Sequence, residues 1–323
     1  MSTSTKTKHA RTIRYGEKER VELIEVPVSD PAPDEVQVQA LACGICAWDV
    51  YVYKHGAEGD IMPGHEGVGR IVKVGRDVRG WREGDRVTGH GLGFTERVNV
   101  RPQRLYHLPD DDRPHEHWIV EPVSCVVTGL DHCQAKAGDR IAVIGCGFMG
   151  LMLVQGLARS LLDRLIVIDL DPRRLELARQ FGATETYNPS DTAFEQTVDQ
   201  LKAASIDTVV DTSGAQSGLD LASRLVRKGG RINLFGWNHG TAQFPGDLWH
   251  MQGVTVVNSA PNSATRNPFP PAIRLMQRGL IDLEPLVTHV VPLDEYPQLL
   301  ATAAAREDGY IKGVVTLNGA DDL

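Results

Sequence analysis

The sequence predicts an α/β protein of two domains, one a doubly wound parallel sheet and the other mainly β and barrel-like. Three observations carry that reading. A chain of 323 residues is long for a single core. Between Arg140 and Ser259, strand-like and helix-like patterns alternate as parallel βαβ units require. Between Val21 and Val100 the pattern is instead short β-rich runs punctuated by glycine and proline.

Taken in order, MSTSTKTKHAR reads as a frayed tail, with no apolar core of the kind a signal peptide carries. VELIEV, EVQVQALA, GVGRIVKVG, DRVTG and FTERVNV follow as short strands. From Arg140 come strand IAVIG, helix FMGLMLVQGLARSLL, strand LIVID and helix PRRLELARQFG. A short strand near Thr184 to Tyr187 precedes a helix from Phe194 to Lys202. Next are strand DTVVDTSG, helix SGLDLASRLVRKG, and strands GRINLFG and VTVVNS. NPFPP ends the sheet and starts a helix, AIRLMQRGLI; PLVTHVVPL is extended, DEYPQLLATAAA helical and KGVVTLN a last strand. Such a terminal set can return to the first domain. The expected division is therefore 1–122 with 263–323 for the β domain, and 123–262 for the parallel sheet.

Composition narrows the function. A hydrophobic content of 41% and a charged content of 24% are those of a globular chain. A formal charge of −8, with no basic cluster interleaved with aromatics, argues against nucleic acid as a partner. The longest apolar run, Leu151 to Leu162, is broken by Gln155, Arg159 and Ser160, so no membrane span is expected. Five scattered cysteines without a secretory signal point to a reducing cytoplasm rather than a disulfide framework. Cys43 and Cys146 read as small buried residues.

RIAVIGCGFMG runs an apolar strand into Gly145, Gly147 and Gly150 and then into a helix, the context a Rossmann dinucleotide site needs. Gly145 allows the tight turn, Gly147 lets pyrophosphate approach the backbone, and Gly150 lets helix and sheet pack closely. The helix start at Phe148, Met149 and Gly150 offers free N–H groups to the phosphates. Asp169 ends the second strand nineteen residues past Gly150, where a carboxylate binds the ribose hydroxyls and repels a 2′-phosphate. NAD is expected over NADP, although Arg173 and Arg174 follow closely. Ser213 and Phe235 lie at carboxyl ends of strands, where the nicotinamide end is expected.

Upstream, Cys46 in CGICAWD and His65-Glu66 in PGHEGVG place a thiolate, an imidazole and a carboxylate within twenty residues. These are zinc donor types. GICAWD, PGHEGVGRIVKVG and GDRV closely resemble the zinc-dependent alcohol dehydrogenases of the medium-chain dehydrogenase/reductase family, the sorbitol and threonine dehydrogenase type included. The resemblance extends through EPVSCVV, GCGFMG, VID, PLVTH, VPLDE and IKGVV, from about Val21 to Val315. It implies a GroES-like fold for the discontinuous β domain.

It also implies roles. Cys46 and His65 match the catalytic zinc ligands, and Glu66 matches an acid that ligates zinc or stands just behind it. Glu121 matches the third protein ligand position, and Asp49 the carboxylate that orients the histidine. Lys312 matches a basic position that can reach the cofactor phosphates; the other reading is a surface lysine. Two departures stand out. GDRVTGHGLGFTERVNV lacks the four cysteines of the structural zinc lobe, so one zinc per chain is expected. Trp48 replaces the usual Ser or Thr, and an indole cannot relay a proton. Tyr51 or a zinc-bound water is expected to take over, with His55 and His90 as further candidates and Trp48 as a pocket wall.

The resulting expectation is a zinc- and NAD-dependent dehydrogenase. It would oxidise a secondary alcohol of a polyol, a cyclitol or aminocyclitol, or a hydroxy amino acid, as a homodimer or homotetramer. The rivals are a zinc-free NAD(P)H reductase of the same family and a catalytically silent NAD-binding protein.

Overall fold

A computed structural model describes residues 8–59, 61–307 and 309–317. The chain forms two compact units, Met1–Pro122 with Leu283–Leu323, and Val123–Asp282. Residues 1–7 of the expected tail lie outside the described part. The rest of that tail is not frayed. Strand β1 (Lys8–Tyr15) pairs antiparallel with β2 (Val21–Val28) along its whole length. Ala10 and Thr12 are buried on one face, and Ile13 and Tyr15 on the other, a pattern its basic residues disguise.

In the first unit, β3 (Val36–Gly44) is buried throughout, a central strand whose side chains enter two packed clusters, Val36 and Val38 one and Ala40 and Cys43 the other. A short helix, α1 (Ala47–His55), leaves its end. β4 (Glu66–Val74) pairs antiparallel with β3, then β5 (Arg86–Gly89) with β4. β6 (Arg97–Val100) also pairs with β3, and β7 (Leu105–His107) with β5. Only His90–Glu96 link β5 to β6, and this connection carries no cysteine.

Helix α2 (Val120–Cys133) carries the chain into the second unit, with Pro122 in its first turn, where a missing N–H is tolerated. There follow β8 (Arg140–Ile144), α3 (Phe148–Leu157), β9 (Arg164–Ile168), α4 (Pro172–Gln180), β10 (Glu185–Tyr187) and α5 (Phe194–Ala203). After these come β11 (Ile206–Asp211), α6 (Gln216–Leu225), β12 (Val226–Leu234), α7 (Gly246–Gln252), β13 (Thr255–Asn258) and α8 (Phe269–Gln277). The six strands are parallel in the order β10-β9-β8-β11-β12-β13. Strand order reverses between β8 and β11, where a doubly wound sheet opens its ligand crevice.

The expected boundary at 263 moves to 283. Arg266 forms a two-pronged pair with Asp131, both contacts 2.7 Å, and α8 buries Phe269, Ala272 and Met276. The Gln155 side chain accepts from the Asp282 amide at 2.6 Å and donates to its carbonyl at 2.9 Å. These bonds keep α8 with the parallel sheet.

The chain then returns to the first unit as β14 (Val287–Pro292), α9 (Tyr296–Ala305) and β15 (Lys312–Thr316). β15 pairs with both β3 and β14, making a seven-stranded sheet. α9 shares one core with α1 and β1, through Ile13, Tyr15, Val52, Tyr296 and Leu300. Among the described residues, no helix is long and apolar enough to cross a membrane.

Candidate active site

Cys46 and His65-Glu66 meet because of strand register. β3 and β4 are antiparallel with Gly44 opposite Glu66, so Cys46, two residues past β3, comes near the start of β4. Among the described residues, Cys46, His65 and Glu66 form the group whose donor atoms all lie within 4.8 Å of one another. Two glycines make room. A Cβ on Gly44 would lie 2.2 Å from Glu66 Oε2, and one on Gly64 would lie 2.6 Å from the Phe94 ring. Gly64 also has φ +73°, a left-handed conformation natural to glycine just before His65.

The electrostatics favour a cation. Burial, then the Glu66 and Asp49 carboxylates, push the Cys46 thiol well up, and Glu121 adds to the effect. Lys312 opposes it. Its ammonium lies 2.5 Å from Glu66 Oε2 and donates to the Ile45 carbonyl at 2.6 Å. Burial alone would lower the Lys312 pKa, but Glu66 and its other neighbours raise it. Three converging donors with surplus carboxylate charge nearby fit a divalent ion of zinc's preferences.

Glu121 stands outside this group of donors. It sits on the first turn of α2 and acts on the Cys46 thiol through charge rather than as a fourth clustered atom. Lys312 is also not where it was expected. It is not a surface lysine: 3% exposed, it is drawn inward by Glu66.

Asp49 is fully buried on α1. Its Oδ2 accepts the Cys46 amide at 2.7 Å, as the third helical residue of a capping box does, and its Oδ1 accepts the Tyr15 hydroxyl at 2.6 Å. Burial raises its pKa, and Tyr15, the Cys46 amide and the charge of His65 oppose that rise. On another face of the same helix, Tyr51 stacks on His55 at 4.2 Å and on Trp48 at 5.8 Å. His55 Nδ1 lies 2.9 Å from the Tyr51 carbonyl. Burial, then the charges of Arg104 and His65, lower the pKa of His90.

The second unit builds its own site. Gly145 has φ +88°, and Thr212 Oγ1 donates to its carbonyl at 2.7 Å, fixing the turn after β8. A Cβ on Gly150 would lie 2.3 Å from the Gly145 carbonyl oxygen, so the close approach of helix and loop requires glycine. A Cβ on Gly147 would meet nothing within 4 Å, so the space beside the α3 N-terminus is open. Phe148, Met149 and Gly150 form the first turn of α3, and no side chain caps it.

Asp169, just past β9, accepts the Cys146 amide at 2.5 Å and the Asp171 amide at 2.8 Å. This ties it to the glycine loop. Arg173 and Arg174 both pair with Asp171. Ser213 Oγ donates to Asp211 at 2.6 Å, and the Phe235 ring lies over Gly129 of α2.

Sequence reasoning missed Tyr15 and Tyr296, whose hydroxyls lie 2.7 Å apart beside Asp49. Reading TIRY as a strand would have turned Tyr15 inward; nothing local marks Tyr296.

A family model described as "Alcohol dehydrogenase GroES-like domain" matches residues 32–110, and one described as "Zinc-binding dehydrogenase" matches residues 149–278. Together they take in nearly two thirds of the chain. D-arabinitol dehydrogenase 1 of Uromyces fabae is 27% identical over 348 residues, covering 95% of this chain and 97% of that protein. (R,R)-butanediol dehydrogenase of Bacillus subtilis is 26% identical, covering 93% and 96%. The crystal structure of 2R,3R-butanediol dehydrogenase from Bacillus subtilis superposes with a TM-score of 0.86 at 23% identity, covering 96% of this chain and 100% of that one. That last likeness establishes the fold.

Proposed function

The chain belongs to the medium-chain dehydrogenase/reductase family as an alcohol dehydrogenase, and from that premise we propose a zinc- and NAD-dependent enzyme acting on a polyhydroxylated secondary alcohol. The substrate class is a polyol, a cyclitol or aminocyclitol, or a hydroxy amino acid. One observation carries the reading: a cysteine sulfur, an imidazole and a carboxylate converge within 4.8 Å beside further carboxylates. Cys46, His65 and Glu66 would hold one zinc per chain, with Glu121 as a nearby carboxylate. When bound, zinc makes a substrate hydroxyl more acidic and the nicotinamide receives the hydride.

The chain's own groups do the rest. Asp49 fixes the backbone of Cys46 and neighbours His65. Lys312 holds Glu66 in place and limits the negative charge around it. Tyr51, on the face of α1 that carries His55, moves the alcohol proton outward where Trp48 cannot. In the second unit, the open space at Gly147 and the uncapped start of α3 receive the pyrophosphate. Asp169 takes the ribose hydroxyls, and the pairing of Arg173 and Arg174 with Asp171 disfavours a 2′-phosphate. Ser213 and Phe235 lie toward the nicotinamide end. A reducing cytoplasm suits the five free thiols, and two copies associate through the sheet of this unit.

Protein purified without chelator should carry about one zinc per chain. It should reduce NAD, and not NADP, with a member of a panel of polyols, cyclitols and 3-hydroxy amino acids. A metal-free preparation, or a Cys46→Ala variant with full activity, overturns the zinc reading. The pH–rate profile of Tyr51→Phe tests the relay: a profile and rate like the wild type's rule Tyr51 out.

A further inference from the structure

We propose that the buried Tyr15–Tyr296 hydroxyl pair is a positioning device for the metal centre, acting through Asp49 on the Cys46 backbone. The proposal rests on the zinc reading above. The Asp49 carboxylate is fully buried and feels the charge of Glu66, a costly arrangement unless each oxygen is hydrogen-bonded. Two donors meet that need, and they come from different places. The Cys46 amide reaches Oδ2 at 2.7 Å from the start of the same helix. The Tyr15 hydroxyl reaches Oδ1 at 2.6 Å from β1.

Tyr15 has a single hydroxyl proton, and it goes to Asp49 Oδ1. The 2.7 Å contact with Tyr296 must then run the other way, the Tyr296 hydroxyl donating to the Tyr15 oxygen. The result is a directed chain, Tyr296 to Tyr15 to Asp49, in which each donation strengthens the next. Its far end lies on α9, so the returning C-terminal segment helps fix a ligand near the N-terminal end of the fold.

Packing alone does not require these hydroxyls. Tyr296 is 0% exposed and its ring packs on that of Phe94 at 4.5 Å, an apolar contact that Tyr296→Phe would keep. What phenylalanine at 15 would lose is the donor to Oδ1, at a site where Asp49 is 0% exposed and water has no direct access. The carboxylate would then be free to rotate, and the tie to the Cys46 amide would loosen.

The test uses the full-length enzyme, stripped of metal and titrated with zinc against a chromophoric chelator, then reloaded with cobalt(II) for its thiolate charge-transfer and d–d bands. Tyr15→Phe should weaken zinc binding about tenfold, as loss of an outer partner does, and shift the cobalt bands. Tyr296→Phe, one bond further out, should weaken it about threefold. In an Asp49→Asn background, Tyr15→Phe should add almost nothing, because the path runs through Asp49.

Wild-type zinc affinity and cobalt bands in Tyr15→Phe overturn the proposal, and so does an undiminished loss in the Asp49→Asn background. If metal-free Tyr15→Phe shows no cooperative melt, Tyr296→Phe decides on the same two readouts. A wild-type protein that takes up no zinc overturns the metal reading and this proposal with it. Zinc bound equally by wild type and variants overturns this proposal alone.

Discussion

A side chain on residue 44 would have to share space with Glu66. Gly44 lies opposite Glu66 in the β3–β4 register, and an added Cβ would lie 2.2 Å from Glu66 Oε2 and 2.9 Å from Lys312 Cε. Both atoms belong to long side chains that can move, so Gly44→Ala should fold, at a cost of about 1–2 kcal/mol for overpacking. The carboxylate gives way, and Glu66 leaves the donor cluster. Zinc affinity should therefore fall about tenfold while the metal-free melting temperature drops only a few degrees, measured by chelator competition and calorimetry. Unchanged zinc affinity would mean that Glu66 is not a ligand. Cys46, His65 and Glu66 were readable from the sequence because donor type and local motif are properties of short segments. The inward turn of Lys312 was not, since its cause, Glu66, is far away in sequence and adjacent only through β15 and β3.

The same contrast separates one element from another. β8, α3, β9 and α4 follow their hydrophobic patterns closely, because each packs in a regular parallel layer. α1 was missed: AWDVYVYKH is short and rich in aromatic and β-branched residues, and Asp49 and the core contacts with α9 hold it in place. The edge strand β10 was expected, but what fastens it to β9 was not. Arg164 grips both oxygens of Glu185, and Tyr187 donates to the same carboxylate at 2.6 Å. The Arg164 bond, opposed by partial burial, holds the Glu185 carboxyl below its ordinary pKa. A carboxyl depressed in the folded state contributes stability above its unfolded pKa of about 4.3 and loses it as pH falls through the folded value. Glu185→Gln should therefore cost about 0.5–1 kcal/mol at pH 7, the range for a partly exposed pair. The difference from wild type should narrow at acid pH, below the unfolded value of about 4.3, as the folded carboxyl takes up its proton. Thermal melts of the two proteins at both pH values check this, and an equal gap at acid pH would assign the effect to packing.

The parallel sheet ends in two edges, and they are not alike. β10 is three residues long. β13 presents Thr255, Val256 and Asn258 to solvent, with Val256 39% exposed, and α7 just before it exposes Met251 to 76% and Leu248 to 38%. An edge of free N–H and C=O groups beside apolar side chains is a template for another strand, and a lone monomer would leave it open to unspecific pairing. Two copies related by a twofold axis would close it, with β13 running antiparallel to its own copy and the apolar side chains covered. The protein should therefore sediment at twice the 35.4 kDa of one chain at micromolar concentration. Val256→Lys brings like charges together near the axis and should yield a monomer. That monomer should still bind NADH, because the glycine loop, α3 and Asp169 stand on β8 and β9, strands that do not form this edge. Sedimentation velocity with a fluorescence titration of NADH reads both properties at once. A Val256→Lys protein that remains dimeric places the interface elsewhere. One that becomes monomeric and loses NADH shows that the sheet edge supports the nucleotide site across the width of the sheet.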